Sequence, residues 1–278
     1  MMPRERSTNC YSGRSCTTLD DDYPDWLRQI ADRPPILHVR GRLRPGRRYI
    51  ACVGTRQPSV FGQTAARGIS SFLASHDWTI VSGLALGVDT LCHEAALEAG
   101  GHTVAVLANG LDSVYPTQNR GLAERILVAG GALLSEQPLG TPALPRHLVS
   151  RDRLQSGMSA ATIVMQTDLI GGTMHTVRFA LLQDRRLIAP VPQGAHADEP
   201  KSRGILALTQ RTGPELAHLV GASGAYAEHL TRKFSDRPVA LPLHDRDSYT
   251  LLLEMLERMA VESPAHRPPA QQLGLWDS

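Results

Sequence analysis

The fold is decided by residues 49–89, which read YIACVGTRQPSVFGQTAARGISSFLASHDWTIVSGLALGVD. Two short apolar runs in this stretch, Tyr49–Val53 and Thr79–Ser82, are predicted strands that lead directly into glycine. After each strand comes a segment with the apolar spacing of an amphipathic helix, Gly62–Ser75 and Val88–Ala99. Short apolar strands that alternate with helices indicate parallel strands covered by helices on both faces.

The same alternation continues along the chain. Further strands are predicted at Thr103–Ala108, Ala132–Ser135, Thr162–Gln166 and Arg186–Val191, and further helices at Asn119–Val128 and Met174–Gln183. The pattern predicts an α/β protein with a Rossmann-like, doubly wound, mostly parallel sheet and helices on both faces. In such folds ligands bind at the carboxyl ends of the strands.

Changes of composition divide the chain into five segments. They are a disordered leader (1–20), a short N-terminal extension (21–48), a core (49–234), a helical segment (235–262) and a flexible tail (263–278). The helical segment carries an amphipathic helix over Asp245–Met259. The tail is rich in Pro, Ala and Gln, a composition that does not bury a core.

The composition excludes several classes of protein. The net charge of +2 is too small for bulk attraction to nucleic acid, so any such site must be a local basic patch. The four cysteines show no CxxC pair, and we expect no zinc site, disulfide framework or other cofactor. No apolar stretch reaches the ~18 residues of a membrane span, and no signal-peptide pattern is present. A cytoplasmic protein is therefore expected.

Glycine marks three junctions between a predicted strand and the following helix. The junctions are Gly54-Thr55-Arg56, Ser82-Gly83 and Gly171-Gly172-Thr173. Glycine lets a backbone approach phosphate closely, and the start of the next helix offers free N–H groups. The three junctions predict a phosphate-binding rim, although tight turns alone would also explain them. The absence of a Walker lysine and of GxGxxG after the first strand disfavours an ATPase or an ordinary dinucleotide enzyme.

A second candidate is the triplet Arg151-Asp152-Arg153. Two arginines that flank an acid can clamp phosphates while the acid holds one guanidinium in place. A solvated cluster of surface charges is the other interpretation of the same residues.

Four motifs occur in the order found in one known family. They are Val53-Gly54-Thr55-Arg56 with Ser59 and Phe61-Gly62, Ser82–Asp89 with His93, Ala105–Leu107 with Gly110–Asp112 and Asn119, and Ser135-Glu136 with Pro138. The chain resembles the DNA-processing (DprA/Smf) family on these motifs, from about Tyr23 to Pro192. In that family an extended Rossmann-like core dimerises, binds single-stranded DNA and helps to load the RecA recombinase.

The resemblance implies a non-catalytic protein of recombination, transformation or repair. Its partners would be single-stranded DNA, a second copy of the chain and RecA. The implied DNA-binding residues are Gly54, Thr55, Arg56, Ser82, Gly83, Arg151, Arg153, Gly171, Gly172 and Thr173. Among these, Arg56 would contact a backbone phosphate. Binding would be mostly electrostatic and tolerant of base sequence.

Three departures from the family pattern fall in this region. Leu148-Val149 stands in place of Phe-Pro, which removes an aromatic ring on which a base could stack, a contact worth ~1–3 kcal/mol. Asp152 replaces an asparagine and adds a negative charge beside the expected phosphates, and Gln166 replaces a glutamate. The family's winged-helix domain and full N-terminal helical domain have no recognisable counterpart. These departures predict weaker DNA binding than in a typical member.

A nucleotide-derived ligand is one alternative. Related folds hydrolyse nucleoside monophosphates with a PGGxGTxxE motif, which Gly171-Gly172-Thr173 partly matches. The catalytic glutamate of that motif would fall at or near Val177, which has no carboxylate. Hydrolysis is therefore disfavoured, and the open alternative is a protein that senses a nucleotide without turning it over. Asp89 and His93 share one helix face but have no nucleophile or metal partner in the sequence, so a structural role is predicted for them.

An adaptor on the DNA polymerase sliding clamp is the other alternative. Residues 272–276, QLGLW, resemble the pentapeptide QL(S/D)LF by which bacterial proteins dock on that clamp. Leu273, Leu275 and Trp276 would enter an apolar pocket while Gln272 makes hydrogen bonds at its rim. An inert tail is the competing interpretation.

Overall fold

The computed structural model describes residues 13–261. In this part of the chain the strands are β1 (Arg14–Thr17), β2 (Ile36–Gly41), β3 (Tyr49–Val53), β4 (Thr79–Ser82), β5 (Thr103–Val106), β6 (Ala132–Ser135), β7 (Ala161–Val164), β8 (Arg186–Pro190) and β9 (Ala240–Leu243). The α-helices of the same residues are α1 (Val60–Ser75), α2 (Val88–Glu98), α3 (Arg120–Val128), α4 (Pro145–Gly157), α5 (Gly172–Leu182), α6 (Arg203–Gln210), α7 (Gly213–Leu219), α8 (Gly224–Lys233) and α9 (Ser248–Val261).

These strands form one sheet in the order β1-β2-β6-β5-β4-β3-β7-β8-β9. β3 pairs in parallel with β4 on one side and with β7 on the other. The chain runs outward from β3 to β6, then returns to β7 and runs outward again to β9, so its direction of winding reverses between β3 and β7. β1 and β2 add an antiparallel edge beside β6. The predicted doubly wound, mostly parallel sheet is confirmed, and its switch point is where such folds place a ligand crevice.

The core lies on both faces of the sheet because side chains alternate along each strand. Ile163 and Ile188 belong to a buried cluster with α1, α2 and α9. Their neighbours Val164 and Leu187 belong to another, with α5 and α6. Helices therefore cover both faces, which explains why the central strands are apolar throughout.

The predicted helix near the C-terminus is α9, and it packs on the α1 side. Leu252 and Leu256 are buried against this face. The indole nitrogen of Trp78 donates to Oε1 of Glu257 at 3.0 Å, and Arg48 pairs with the other carboxylate oxygen at 2.7 Å. These long-range contacts make α9 part of the core.

The predicted strands and helices of the core agree with the structure to within two residues at each end. β9 was not predicted, because its sequence ALPL contains a proline, which removes a backbone donor and suits an edge strand.

The predicted disordered leader is wrong for residues 14–17, which form β1 and bury Cys16. The sheet also crosses the predicted boundaries at residues 49 and 234, since β2 pairs with β6 and β9 with β8. Residues 272–276 lie outside the described residues.

Candidate functional site

A cleft of about 500 Å³ opens at the carboxyl ends of β3 and β7. Its walls include Gly54–Arg56, which follow β3, and Gly171–Thr173, at the start of α5. Two of the three predicted glycine junctions therefore meet in one crevice, at the switch point of the sheet.

Close packing accounts for glycine at position 54, and backbone conformation accounts for it at position 171. A side chain on Gly54 would meet Val88 at 2.7 Å, and the neighbouring Thr55 N–H donates to the Gln166 carbonyl at 2.8 Å. Gly171 has a φ of +152°, which L side chains rarely adopt, and directly precedes the first residue of α5. The start of α5 is thus turned toward the cleft without a side-chain cap, leaving N–H groups for a ligand.

Arg56 is the exposed cation of this cleft. Among residues 13–261 its guanidinium makes no hydrogen bond or ion pair. The side chain that the sequence places against a phosphate is therefore available to bind one.

Arg151 lies at the wall of the cleft, but its donors are already used. It is 6% exposed, and its Nη1 donates to the carbonyls of Gly83, at 2.6 Å, and Val106. Its Nε donates to Oδ1 of Asp152 at 3.2 Å. In this structure Arg151 therefore ties α4 to the carboxyl ends of β4 and β5.

Arg153 is turned away from the cleft, although it is only two residues further along α4. It pairs with Glu136 at 2.7 Å and with Asp32 at 2.9 Å, and it is 9% exposed. The two predicted arginines are thus separated into two intramolecular networks, and their role in DNA binding stays a prediction.

The second junction is also engaged internally. The Ser82 hydroxyl donates to the Cys52 carbonyl at 2.7 Å, and the Gly83 N–H donates to Oδ2 of Asp89 at 3.0 Å. Neither Ser82 nor Gly83 lines the cleft. The predicted donors of this junction instead hold β3, β4 and α2 together.

Asp89 and His93 are both buried, and their structural role stays a prediction. Asp89 also accepts from the Ala85 N–H at 3.2 Å, and burial raises its pKa while Arg151 opposes that shift. Nδ1 of His93 lies 2.7 Å from Oγ1 of Thr103, and burial lowers the pKa of His93 to about 3. His93 is therefore neutral and inaccessible, which is unsuited to proton transfer with a bound ligand.

Asp152 sets the charge of the inner cleft. Its Oδ1 accepts from Arg151 and from Nε2 of Gln155, at 2.9 Å. Burial raises its pKa to about 6, and Arg151 opposes this shift. Its Oδ2 makes no hydrogen bond within residues 13–261. At neutral pH the carboxylate is mostly ionised and would repel a phosphate that approached Arg151.

Three charged or titratable residues of the cleft were missed by sequence reasoning: Asp168, His175 and Lys201. Lys201 reaches the cleft because its ammonium donates to the Gln57 carbonyl. The segment that carries Lys201 is also held by Gln166, whose Nε2 donates to Glu199 at 3.1 Å. Only His175 had a local signal, since it follows Thr173 on the first turn of a predicted helix.

The described residues hold no cluster of three or more His, Cys, Asp or Glu side chains that could bind a metal. Within residues 13–261, none of the helices is both long and apolar enough to cross a membrane.

Comparison with known proteins gives a consistent result. Residues 14–221 match the family model described as DNA recombination-mediator protein A. The chain is 40% identical to Protein Smf of Synechocystis over 172 residues, which are 59% of this chain and 42% of that protein. It spans about half the length of the first curated relatives it matches.

Two solved structures share the fold over most of the chain. DNA processing protein A (DprA) from Streptococcus pneumoniae superposes with a TM-score of 0.65 and 27% identity, over 87% of this chain and 74% of that one. DNA processing protein A from Helicobacter pylori, whose structure is described for its single-stranded DNA binding mode, superposes with a TM-score of 0.68 and 23% identity. The superposition covers 89% of this chain and 98% of that one.

Proposed function

The chain belongs to the DNA recombination-mediator protein A family, and from that premise we propose that it binds single-stranded DNA in the cleft where β3 and β7 end. The observation that carries this proposal is Arg56, an exposed side chain whose guanidinium makes no hydrogen bond or ion pair among residues 13–261 and which shares the cleft with the start of α5. A strand in the cleft would place phosphates against Arg56 and the N–H groups at the start of α5. The protein would act without catalysis, as a cytoplasmic homodimer that assists RecA loading in recombination, transformation or repair.

The make-up of the cleft supports weak binding that depends on salt. Arg56, Arg151 and Lys201 share its walls with three carboxylates, those of Asp89, Asp152 and Asp168. Among the described residues that line it, none is Phe, Tyr or Trp, so the imidazole of His175 is the one aromatic ring that these residues offer to a base. Affinity therefore rests on a few phosphate contacts, and such contacts weaken as salt rises.

We expect Arg56→Ala to weaken binding of labelled oligo-dT at least about tenfold, because one hydrogen bond to a charged group contributes a net ~1.5–3 kcal/mol. The dependence of log K on log salt should also become shallower by roughly one phosphate contact. Fluorescence anisotropy between about 50 and 200 mM salt measures both quantities. Arg232→Ala, at an exposed arginine near the end of α8, is the matched control. Equal losses in the two variants would show that Arg56 contributes only general charge.

The size of the cleft favours one second candidate, a nucleotide sensor. A volume of about 500 Å³ falls in the range typical of small-molecule sites. Val177, where a hydrolase of this kind would carry its glutamate, is fully buried in the core beside β7. The geometry therefore supports ligand sensing over hydrolysis. Calorimetric titration with nucleoside monophosphates decides between the candidates, since tighter binding of a mononucleotide than of oligo-dT would favour the sensor.

The C-terminal pentapeptide carries a separate proposal, a contact with the polymerase sliding clamp. Deleting residues 271–278 should abolish binding to the clamp and leave oligo-dT affinity unchanged, because the cleft lies elsewhere in the chain. A clamp pull-down together with anisotropy measures both. Clamp binding that persists after the deletion would assign the contact to another surface.

A further inference from the structure

A second cavity, of about 590 Å³, adjoins the cleft. The two share Ile170, Gly171, Gly172 and His175, so the loop before α5 forms a wall of both. The far wall of the second cavity is the 220–225 segment and the first turn of α8.

The charge of this cavity differs from that of the cleft. Among the described residues that line it none is acidic, whereas Arg178 and His175 do line it. Arg178 is exposed, and within residues 13–261 its guanidinium makes no ion pair or hydrogen bond. Its Cζ lies 5.6 Å from the centre of the Tyr226 ring. The cavity thus offers a cation that forms an ion pair with none of the carboxylates of the described residues.

Backbone N–H groups add to the positive charge that Arg178 gives this cavity, and together they favour an anionic ligand. The first residues of α5 and α8 both line the cavity, and neither helix has a side-chain cap at its N-terminus. Uncapped helix starts leave N–H groups without partners, and the helix dipole favours negative charge there. Two helix starts and one guanidinium therefore converge on one space.

The remaining wall is apolar, with one polar atom that lacks a partner. Leu169, Met174 and Val220 line the cavity together with Tyr226. Tyr226 is 7% exposed, and its hydroxyl has no hydrogen-bond partner among the described residues. Buried hydroxyls normally find a partner, so an unpaired one in a cavity wall is a group that a ligand could satisfy.

We propose that this cavity binds a second nucleotide unit, with its phosphate against Arg178 and the starts of α5 and α8 and its base against the apolar wall. The proposal rests on the proposed function, because it extends the same nucleotide-binding surface beyond the cleft. The nucleotide would come either from the DNA strand that occupies the cleft or from a free nucleoside phosphate. Both sources present the same chemistry to these residues, a phosphate linked to a planar base.

The test measures affinity for oligo-dT of about 2 to about 12 nucleotides, and for thymidine monophosphate, in the wild type, Arg178→Ala and Arg232→Ala. If the strand continues into the cavity, Arg178→Ala should bind the shortest oligonucleotides like the wild type and the longer ones about tenfold more weakly. If the source is a free nucleotide, the wild type should bind thymidine monophosphate even with the cleft saturated by a short oligonucleotide, and Arg178→Ala should not. Arg232→Ala should match the wild type throughout.

A second variant guards against misfolding. Tyr226→Phe removes a hydroxyl that has no partner to lose within the described residues, so its melting temperature should not fall while its affinity at the second site drops several-fold. Wild-type affinities in Arg178→Ala and Tyr226→Phe for every probe would overturn the second site and leave the proposed function standing. A wild type that binds no oligonucleotide would overturn the proposed function. In that case, thymidine monophosphate binding that is present in the wild type and lost in Arg178→Ala would still support the second site. A wild type that binds no thymidine monophosphate would overturn the second site as well.

Discussion

Replacing Arg151 by alanine is expected to lower the free energy of unfolding by about 3–5 kcal/mol. The guanidinium is buried and donates to the carbonyls of Gly83 and Val106, which its loss would leave without these bonds. The substitution would also remove the positive charge beside the buried carboxyls of Asp89 and Asp152. Removing one partner of a buried ionic network costs more than removing the whole network, because the remaining charges stay desolvated.

Denaturant unfolding followed by circular dichroism measures this change, with Arg56→Ala as the control. An exposed arginine whose guanidinium makes no hydrogen bond or ion pair among residues 13–261 should change stability by less than about 0.5 kcal/mol. The two variants therefore separate an arginine that is expected to stabilise the fold from one that is proposed to bind DNA. If Arg151→Ala kept wild-type stability and lost only oligo-dT binding, Arg151 would be a phosphate clamp, as the triplet in the sequence suggested.

Asp152→Asn is expected to raise affinity for oligo-dT about tenfold at pH 8. A unit charge about 6–8 Å from a phosphate, at an effective dielectric constant of ~20–40, contributes about 1–3 kcal/mol of repulsion. Asparagine keeps an oxygen that can accept from Gln155 and Arg151, so the local hydrogen bonds survive the change. The substitution therefore removes the charge with little change of shape.

The gain should depend on pH with a defined sign. Burial raises the pKa of Asp152 to about 6, so the wild-type carboxyl is ionised above this pH and becomes neutral below it. The affinity ratio of variant to wild type should accordingly be largest above pH 7 and approach one near pH 5. Asp89, Arg56 and Arg151 act on the Asp152 carboxyl, and His175, Asp168 and Lys201 line the same cleft. These groups are common to both proteins, so the ratio isolates Asp152.

Anisotropy titrations at four or five pH values at constant ionic strength give this ratio. A ratio that stayed constant from pH 5 to pH 8 would mean that the bound phosphates lie far from Asp152. A ratio below one at pH 8 would mean that the carboxylate accepts a hydrogen bond from the DNA.

The central strands could be predicted because their information is local. β3 to β8 are short apolar runs, most of them followed by an amphipathic helix, and a parallel sheet buried on both faces produces that pattern. The edge strands do not show this apolar pattern, since β1 reads RSCT and β9 reads ALPL. Both segments pair as strands because β2 and β8 offer unpaired backbone groups beside them.

The candidate site also contains residues that local sequence predicts and residues whose surroundings only the tertiary structure determines. The sequence by itself predicted that Gly54–Arg56 and Gly171–Thr173 lie at the carboxyl edge of the sheet, because a strand followed by glycine and a helix start is a local pattern whose position in a doubly wound sheet is known in advance. The environment of Arg151 was decided by tertiary structure, since its carbonyl partners lie 68 and 45 positions away in the chain. The same holds for Lys201 in the cleft and for the meeting of α5 with α8 at the second cavity. The physical reason is that the spacing of apolar residues along the sequence determines which face of a helix or strand is buried. The partner of a buried charge, in contrast, is determined only when elements that are distant in the sequence pack together.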